Sequence, residues 1–239
     1  MGSAERTIGD WLEAVTPERV ARLVFGIGRL LCAAAVLVAM VARYYRGMAW
    51  VSLADFVAYL TIQSNAAFVV VATVAGVVAL RSGLDHPRLD VARVAVLTWV
   101  VTAGILFALI VQQSGARGLR IDVAWSDIAL HFVLPGFAVL DWVLSPRRHR
   151  VSFRVLVPIV GYPVVWGIIT LIRGTLVGWY PYYFLDPTQI SSPLQFATLS
   201  GLMLAGFAVV GVVFIALPSR GWGLAASLRT VRASGGPSG

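Results

Sequence analysis

The sequence predicts an all-α integral membrane protein with six transmembrane helices and both termini cytoplasmic. Three observations predict it. Of 239 residues, 59% are apolar and 13% are charged, where a soluble domain carries about a quarter charged. The apolar residues form six blocks, 21–43, 53–80, 91–113, 126–144, 153–176 and 194–217, and a helix needs about 20 such residues to cross ~30 Å of hydrocarbon. The 19 cations are all arginine, and most lie between the blocks or close to their ends. Helices satisfy their own backbone, as lipid requires.

Residues 1–20 are polar and carry Glu5, Asp10, Glu13 and Glu18. They lack the basic start, short apolar core and cleavage site of a secretory signal. Ile8, Trp11, Leu12 and Val15 fit an interfacial amphipathic helix; a solvated tail with one helical turn is the other reading. The first span holds Arg29, close enough to its end to snorkel, and Cys32, the single cysteine. One cysteine excludes an internal disulfide. His86, His131 and His149 lack metal-ligand spacing, and no metal or organic cofactor is expected.

The second span carries Tyr59, Thr61, Gln63, Ser64 and Asn65. Thr61, Ser64, Asn65 and Phe68, at i, i+3, i+4 and i+7, share one helix face. That face turns inward, either as interhelical glue or as a site. The fourth span is the shortest and is fixed as a span by flanking arginines, Arg120 on one side and Arg147, Arg148 and Arg150 on the other. It holds Asp127 and His131 one turn apart, then Pro135, which removes a helical donor and favours a kink. The fifth span aligns Tyr162, Trp166, Thr170 and Arg173 on one face. The connection 177–193 is aromatic and interrupted by Pro181, Pro187 and Pro193, which suits a membrane interface. The segment 218–239 is rich in Ser, Gly and Arg and is expected to be a disordered cytoplasmic tail.

Arginine counts set the direction. With the N-terminus inside, the cytoplasmic segments hold thirteen arginines and the external ones five, Arg43, Arg46, Arg117, Arg120 and Arg173. Excess positive charge stays inside, which gives a multi-pass protein of the plasma membrane. Anionic lipid head groups are the expected partners of Arg147, Arg148 and Arg150. No soluble basic face exists to bind nucleic acid.

Depth brings two polar sets together. Thr61 is eight residues below Leu53, roughly 12 Å, and His131 five below Ser126, roughly 7.5 Å. At matched depth, the imidazole of His131 can take the Thr61 proton as the oxygen attacks a carbonyl. Asp127 can orient the base, as the third member of a triad does. Ser64 or Asn65 can donate to the oxyanion. Arg173, at the level of the aromatic connection, can hold a carboxylate.

The segments YLTIQSN (Tyr59 to Asn65), HFVLPGFAVLDW (His131 to Trp142) and GWYPYYFLDP (Gly178 to Pro187) resemble the bacterial branch of the androgen-induced membrane protein family. The resemblance covers about 21–217. Eukaryotic members are threonine hydrolases of fatty acid esters of hydroxy fatty acids. The resemblance implies Thr61, after Leu60, as nucleophile and His131, ahead of Val133, Leu134 and Pro135, as base. Tyr180-Pro181 matches the Tyr-Pro before the last span. In this sequence the His-to-Pro interval is one residue shorter, and a second histidine one turn earlier is absent. A one-residue shift turns a helical side chain by about 100°, enough to turn it off the site unless the helix is bent.

The expectation is an intramembrane lipid ester hydrolase with an acyl-Thr61 intermediate and a lipid-like substrate, its carboxylate held by Arg173 or Tyr182. The principal alternative is a non-catalytic multi-pass protein that binds lipid or a small apolar ligand. An ion-coupled transporter is the third reading, disfavoured by a nearly uncharged membrane centre.

Overall fold

The computed structural model describes residues 16–82, 86–116, 122–145 and 148–217. The proposed interfacial helix of 1–20 (apart from its last residues), the segment 218–239, and Arg117, Arg120 and Arg147 lie outside the described residues. Seven helices are present: α1 (Pro17–Gly47), α2 (Leu53–Ala58), α3 (Leu60–Arg81), α4 (Pro87–Ala116), α5 (Trp125–Leu144), α6 (Leu156–Val177) and α7 (Pro193–Ala216). All but α2 are long and apolar enough to cross a membrane, which makes this a multi-pass membrane protein. The six spans alternate in direction. One end of the bundle, here the cap end, carries residues 48–59, 122–124 and 178–192. The other, the tail end, carries residues 82, 86, 145 and 148–155.

Helix starts follow the local sequence. Thr16 caps α1 by accepting from the Arg19 amide at 3.2 Å, and Ser192 caps α7 by accepting from the Gln195 amide at 3.2 Å. Proline occupies an opening position of both helices, where its missing N–H costs nothing. Gly178, at φ 68°, ends α6 in the left-handed conformation that favours glycine. The lipid-facing flanks are aliphatic, as with Val157, Ile172 and Leu176 of α6, all largely exposed on the bundle.

Between helices, packing rather than water exclusion drives association in lipid. α1 and α3 approach most closely where Gly26 faces Gly76. A methyl group on either would run into Leu80 or Leu30. Arg22 then covers the open end of α3, donating to the carbonyls of Ala79, Leu80 and Arg81 at 3.1–3.4 Å.

Two elements differ from expectation. The second apolar block is not one helix: the chain turns extended at Tyr59 (ψ 130°) and splits α2 from α3. Arg29 does not snorkel. It is buried, donating to Asp141 and to Ser145 Oγ, each at 2.8 Å, and to the Ala75 carbonyl at 3.2 Å. Arg93 bonds the other Asp141 oxygen at 2.8 Å and Asp90 at 2.9 Å. Asp90, with no exposed surface, also accepts from the His149 amide and faces its Nδ1, both at 2.9 Å. A buried charge clamp thus ties α1, α3, α4 and α5 at the tail end. Each charge is partnered, as low dielectric demands.

Candidate functional site

The break at Tyr59 shapes the site. Ending α2 exposes carbonyls that lipid cannot satisfy. Side chains take them: Gln63 Nε2 donates to the Val57 carbonyl at 3.0 Å, and Trp166 Nε1 to that of Ala58 at 2.9 Å. The Tyr162 hydroxyl holds Gln63 in turn at 2.9 Å. Tyr59 itself is clasped edge-on by Trp179 and Tyr182. The polar residues of the second and fifth spans therefore brace a helix break.

α3 starts afresh at Leu60, so Thr61 stands in its first turn rather than two turns into a continuous helix. The earliest donors within α3 are the amides of Ile62 and Gln63, both to the Tyr59 carbonyl. The amides of Leu60 and Thr61 have no helical carbonyl behind them. Tyr182 Oη lies here, 3.5 Å from Thr61 Oγ1. Burial pushes the Tyr182 phenol above its ordinary pKa; hydrogen bonding with the Thr61 hydroxyl and with the Thr61 and Leu60 amides offsets part of this. Tyr182 is thus a neutral O–H group at neutral pH.

Asp127 and His131 stand in an α5 that is not uniformly α-helical. Residues Ala129–Val133 form a π turn, in which the Leu134 amide reaches back to the Ala129 carbonyl. Pro135 follows, so the His131 carbonyl has no donor at that position. That carbonyl is pressed against Gly104 of α4, where a Cβ would collide with it. The π turn re-aims side chains, and such insertions occur frequently at functional sites.

His131 is buried, and its ring stacks on Phe107 with centroids 3.9 Å apart. Its Nδ1 lies 2.8 Å from the Asp127 backbone carbonyl. A carbonyl only accepts, so Nδ1 carries the proton and Nε2 of the neutral ring keeps its lone pair. The orienting group is therefore the Asp127 main chain, not its carboxylate. That carboxylate forms an ion pair with Arg43, one oxygen 2.7 Å from Nε, and accepts from the Ala124 amide at 3.2 Å through the other.

Thr61, Asp127, His131, Tyr182 and Arg43 line one cavity of about 320 Å³ at the cap end, within the size range of small-molecule sites. Its remaining walls are mainly apolar and come from α3, α4, α5 and α7, among them Leu106, Leu130, Leu199 and Met203. No direct hydrogen bond joins Thr61 to the imidazole.

The other expected site residues stand elsewhere. Ser64 and Asn65 are buried behind the cavity and both donate to the Thr61 carbonyl, at 3.0 and 2.9 Å, so they anchor Thr61 rather than face a ligand. Arg173 does not line the cavity; its guanidinium is held by Asp55. Arg148 turns onto the protein, stacked 3.9 Å above Trp142 and bonded to the carbonyls of Trp142 and Leu217. Arg150 is exposed. No group of three or more His, Cys, Asp or Glu is placed to hold a metal among the described residues.

No protein-family model matches the chain, and no curated protein or solved structure matches it. The geometry of the cavity therefore carries the functional argument. Sequence reasoning missed Arg43 and Phe107, which line the cavity, and Gly104, which packs on the His131 carbonyl behind it. Arg43 counted only as one of five external charges. Phe107 and Gly104 sit in an apolar run with no pattern to single them out.

Proposed function

We propose that the chain is an intramembrane lipid ester hydrolase in which Thr61 is the nucleophile and His131 the general base. One observation carries the reading: a threonine hydroxyl at a helix head and an imidazole with its Nε2 lone pair free face the same apolar cavity. Thr61 Oγ1 attacks the ester carbonyl while Nε2 takes its proton. The negative charge that develops on the carbonyl oxygen meets the Tyr182 O–H, whose oxygen is held by the Leu60 and Thr61 amides at the positive end of the α3 dipole. The ester C–O bond breaks, Nε2 returns its proton to the departing alcohol, and an acyl-Thr61 remains. Water activated by the same nitrogen then releases the acid and restores the threonine.

In this reading both termini are cytoplasmic, the cap end faces outward from the plasma membrane, and Arg147, Arg148 and Arg150 lie at the inner leaflet among anionic head groups. The resemblance to threonine hydrolases of fatty acid esters of hydroxy fatty acids supports the same pair of residues. A fluorophosphonate probe tests the proposal. Labelling of the wild type, lost in Thr61→Ala and in His131→Ala, is expected; labelling that persists in Thr61→Ala removes the nucleophile.

A non-catalytic lipid-binding protein is the second reading. The lack of a direct Thr61–His131 hydrogen bond favours it, though catalytic pairs often tighten only with substrate bound. It predicts no labelling of any variant.

A further inference from the structure

The geometry points to Arg43 as the carboxylate-recognising group of the cavity, which would take a single-chain amphiphile with an anionic carboxylate head. This deepens the hydrolase reading and rests on it only in taking the cavity as the substrate site. Arg43 pairs with Asp127, its Nε 2.7 Å from one carboxylate oxygen. Its two terminal amines make no hydrogen bond to any described residue, and the side chain is 39% exposed along the cavity. Two parallel N–H donors in a fixed plane match a carboxylate's two oxygens. Arg173, the cation expected from the sequence, is occupied by Asp55.

The charge balance selects the head group. Asp127 already neutralises Arg43, so a bound anion adds net negative charge to a partly buried site. One charge is tolerable beside a guanidinium; the double charge of a phosphate monoester needs further cations, and among the described residues no other arginine lines the cavity. The rest of the wall selects the tail. Leu109 of α4 and Leu202 of α7 line the cavity and are also 47% and 65% exposed. The cavity therefore reaches the apolar flank between α4 and α7. An acyl chain can enter sideways from lipid, leaving its head on Arg43 near the cap end.

The test is equilibrium binding of cis-parinaric acid, a fluorescent fatty acid, and of its methyl ester to the purified full chain above pH 8. The wild type should prefer the acid by tenfold or more, and Arg43→Gln should bind acid and ester alike. Thr61→Ala should keep the wild-type preference even where it abolishes probe labelling, which separates this proposal from the nucleophile. If Arg43→Gln does not fold, Arg43→Lys decides. It keeps the charge but loses the fork, and should weaken acid binding severalfold with ester binding intact. Equal wild-type affinity for acid and ester overturns the proposal, as does undiminished preference in the folded Arg43 variant. Tighter binding of dodecyl phosphate than of laurate overturns the carboxylate assignment.

Discussion

A threonine inside an apolar helix usually returns its hydroxyl to the carbonyl one turn back, as Thr98 does to Val94 at 2.8 Å. Thr61 has no such carbonyl, because its helix begins one residue earlier. Its hydroxyl is left to the cavity and to Tyr182, and this position makes the residue chemically available. Tyr182→Phe removes the oxyanion's O–H donor while keeping the ring, and it frees the Leu60 and Thr61 amides that held the phenol oxygen. The proposed chemistry then predicts a loss of about ten- to a hundredfold in the probe-labelling rate, below the 10²–10³ of a principal donor because two amides remain. The nearby Asp55–Arg173 pair makes a separate prediction. Burial raises the Asp55 carboxyl, but hydrogen bonds from Ser52 and Arg173 and the arginine's charge hold it below the ordinary value. A carboxylate whose pKa falls on folding stabilises the fold above its unfolded pKa and loses that effect as pH drops through the folded one. Melting scans should show Asp55→Asn destabilised at neutral pH by no more than about 1 kcal/mol, as expected for a partly exposed pair. The difference should vanish on acidification below the usual carboxylate range.

At the scale of the element, α5 shows what one glycine and one proline do together. Pro135 frees the His131 carbonyl, the π turn absorbs the lost register, and Gly104 lets α4 lie against the freed oxygen. Gly104→Ala places a methyl group on that carbonyl. The backbone must shift, at a cost of roughly 1–3 kcal/mol for overpacking, and His131 moves with it. The expected result is a lower melting temperature together with a disproportionate loss of probe labelling. Gly28→Ala, whose Cβ would meet only the end of Phe137, should change neither substantially. The six spans were legible in the sequence because about 20 uncharged residues in lipid have one workable conformation. The break at Tyr59 was not: no proline or glycine marks it, and it survives only because Gln63 and Trp166, one turn ahead and on another helix, satisfy the α2 carbonyls. Pro135 signalled an irregularity in α5, but its form depends on Gly104, 31 residues earlier in a different span. That Thr61 and His131 line one cavity was legible from their matched depth. The reassignment from Arg173 to Arg43 was not, since the choice turns on which arginine the neighbouring carboxylates Asp55 and Asp127 leave with open donors.

Across the whole molecule, the two ends divide their work. The tail end is locked by Arg29, Asp90, Arg93 and Asp141, all buried or nearly so. Removing one member strands the others: Asp141→Asn leaves Arg29 and Arg93 without their shared carboxylate, and breaking a buried pair costs about 3–5 kcal/mol. Thermal unfolding in detergent should register that loss, while ligand preference in the surviving folded fraction stays as in the wild type, because no clamp residue lines the cap-end cavity. The cap end, by contrast, is held by aromatic contacts and single ion pairs and encloses the cavity. In the proposed orientation, which rests on the excess of arginines assigned to the cytoplasmic segments, the clamp would lie in the cytoplasmic half. Cys32 is the chain's one thiol and is buried, so a Cys32→Ser background can report single introduced cysteines. Ser191→Cys lies in an exposed cap-end connection and Ser152→Cys in an exposed tail-end one. A membrane-impermeant maleimide applied to intact cells should label Ser191→Cys and reach Ser152→Cys only after permeabilisation. The reverse pattern would turn the cavity toward the cytoplasm, and an acyl chain passing between α4 and α7 would then come from the inner leaflet.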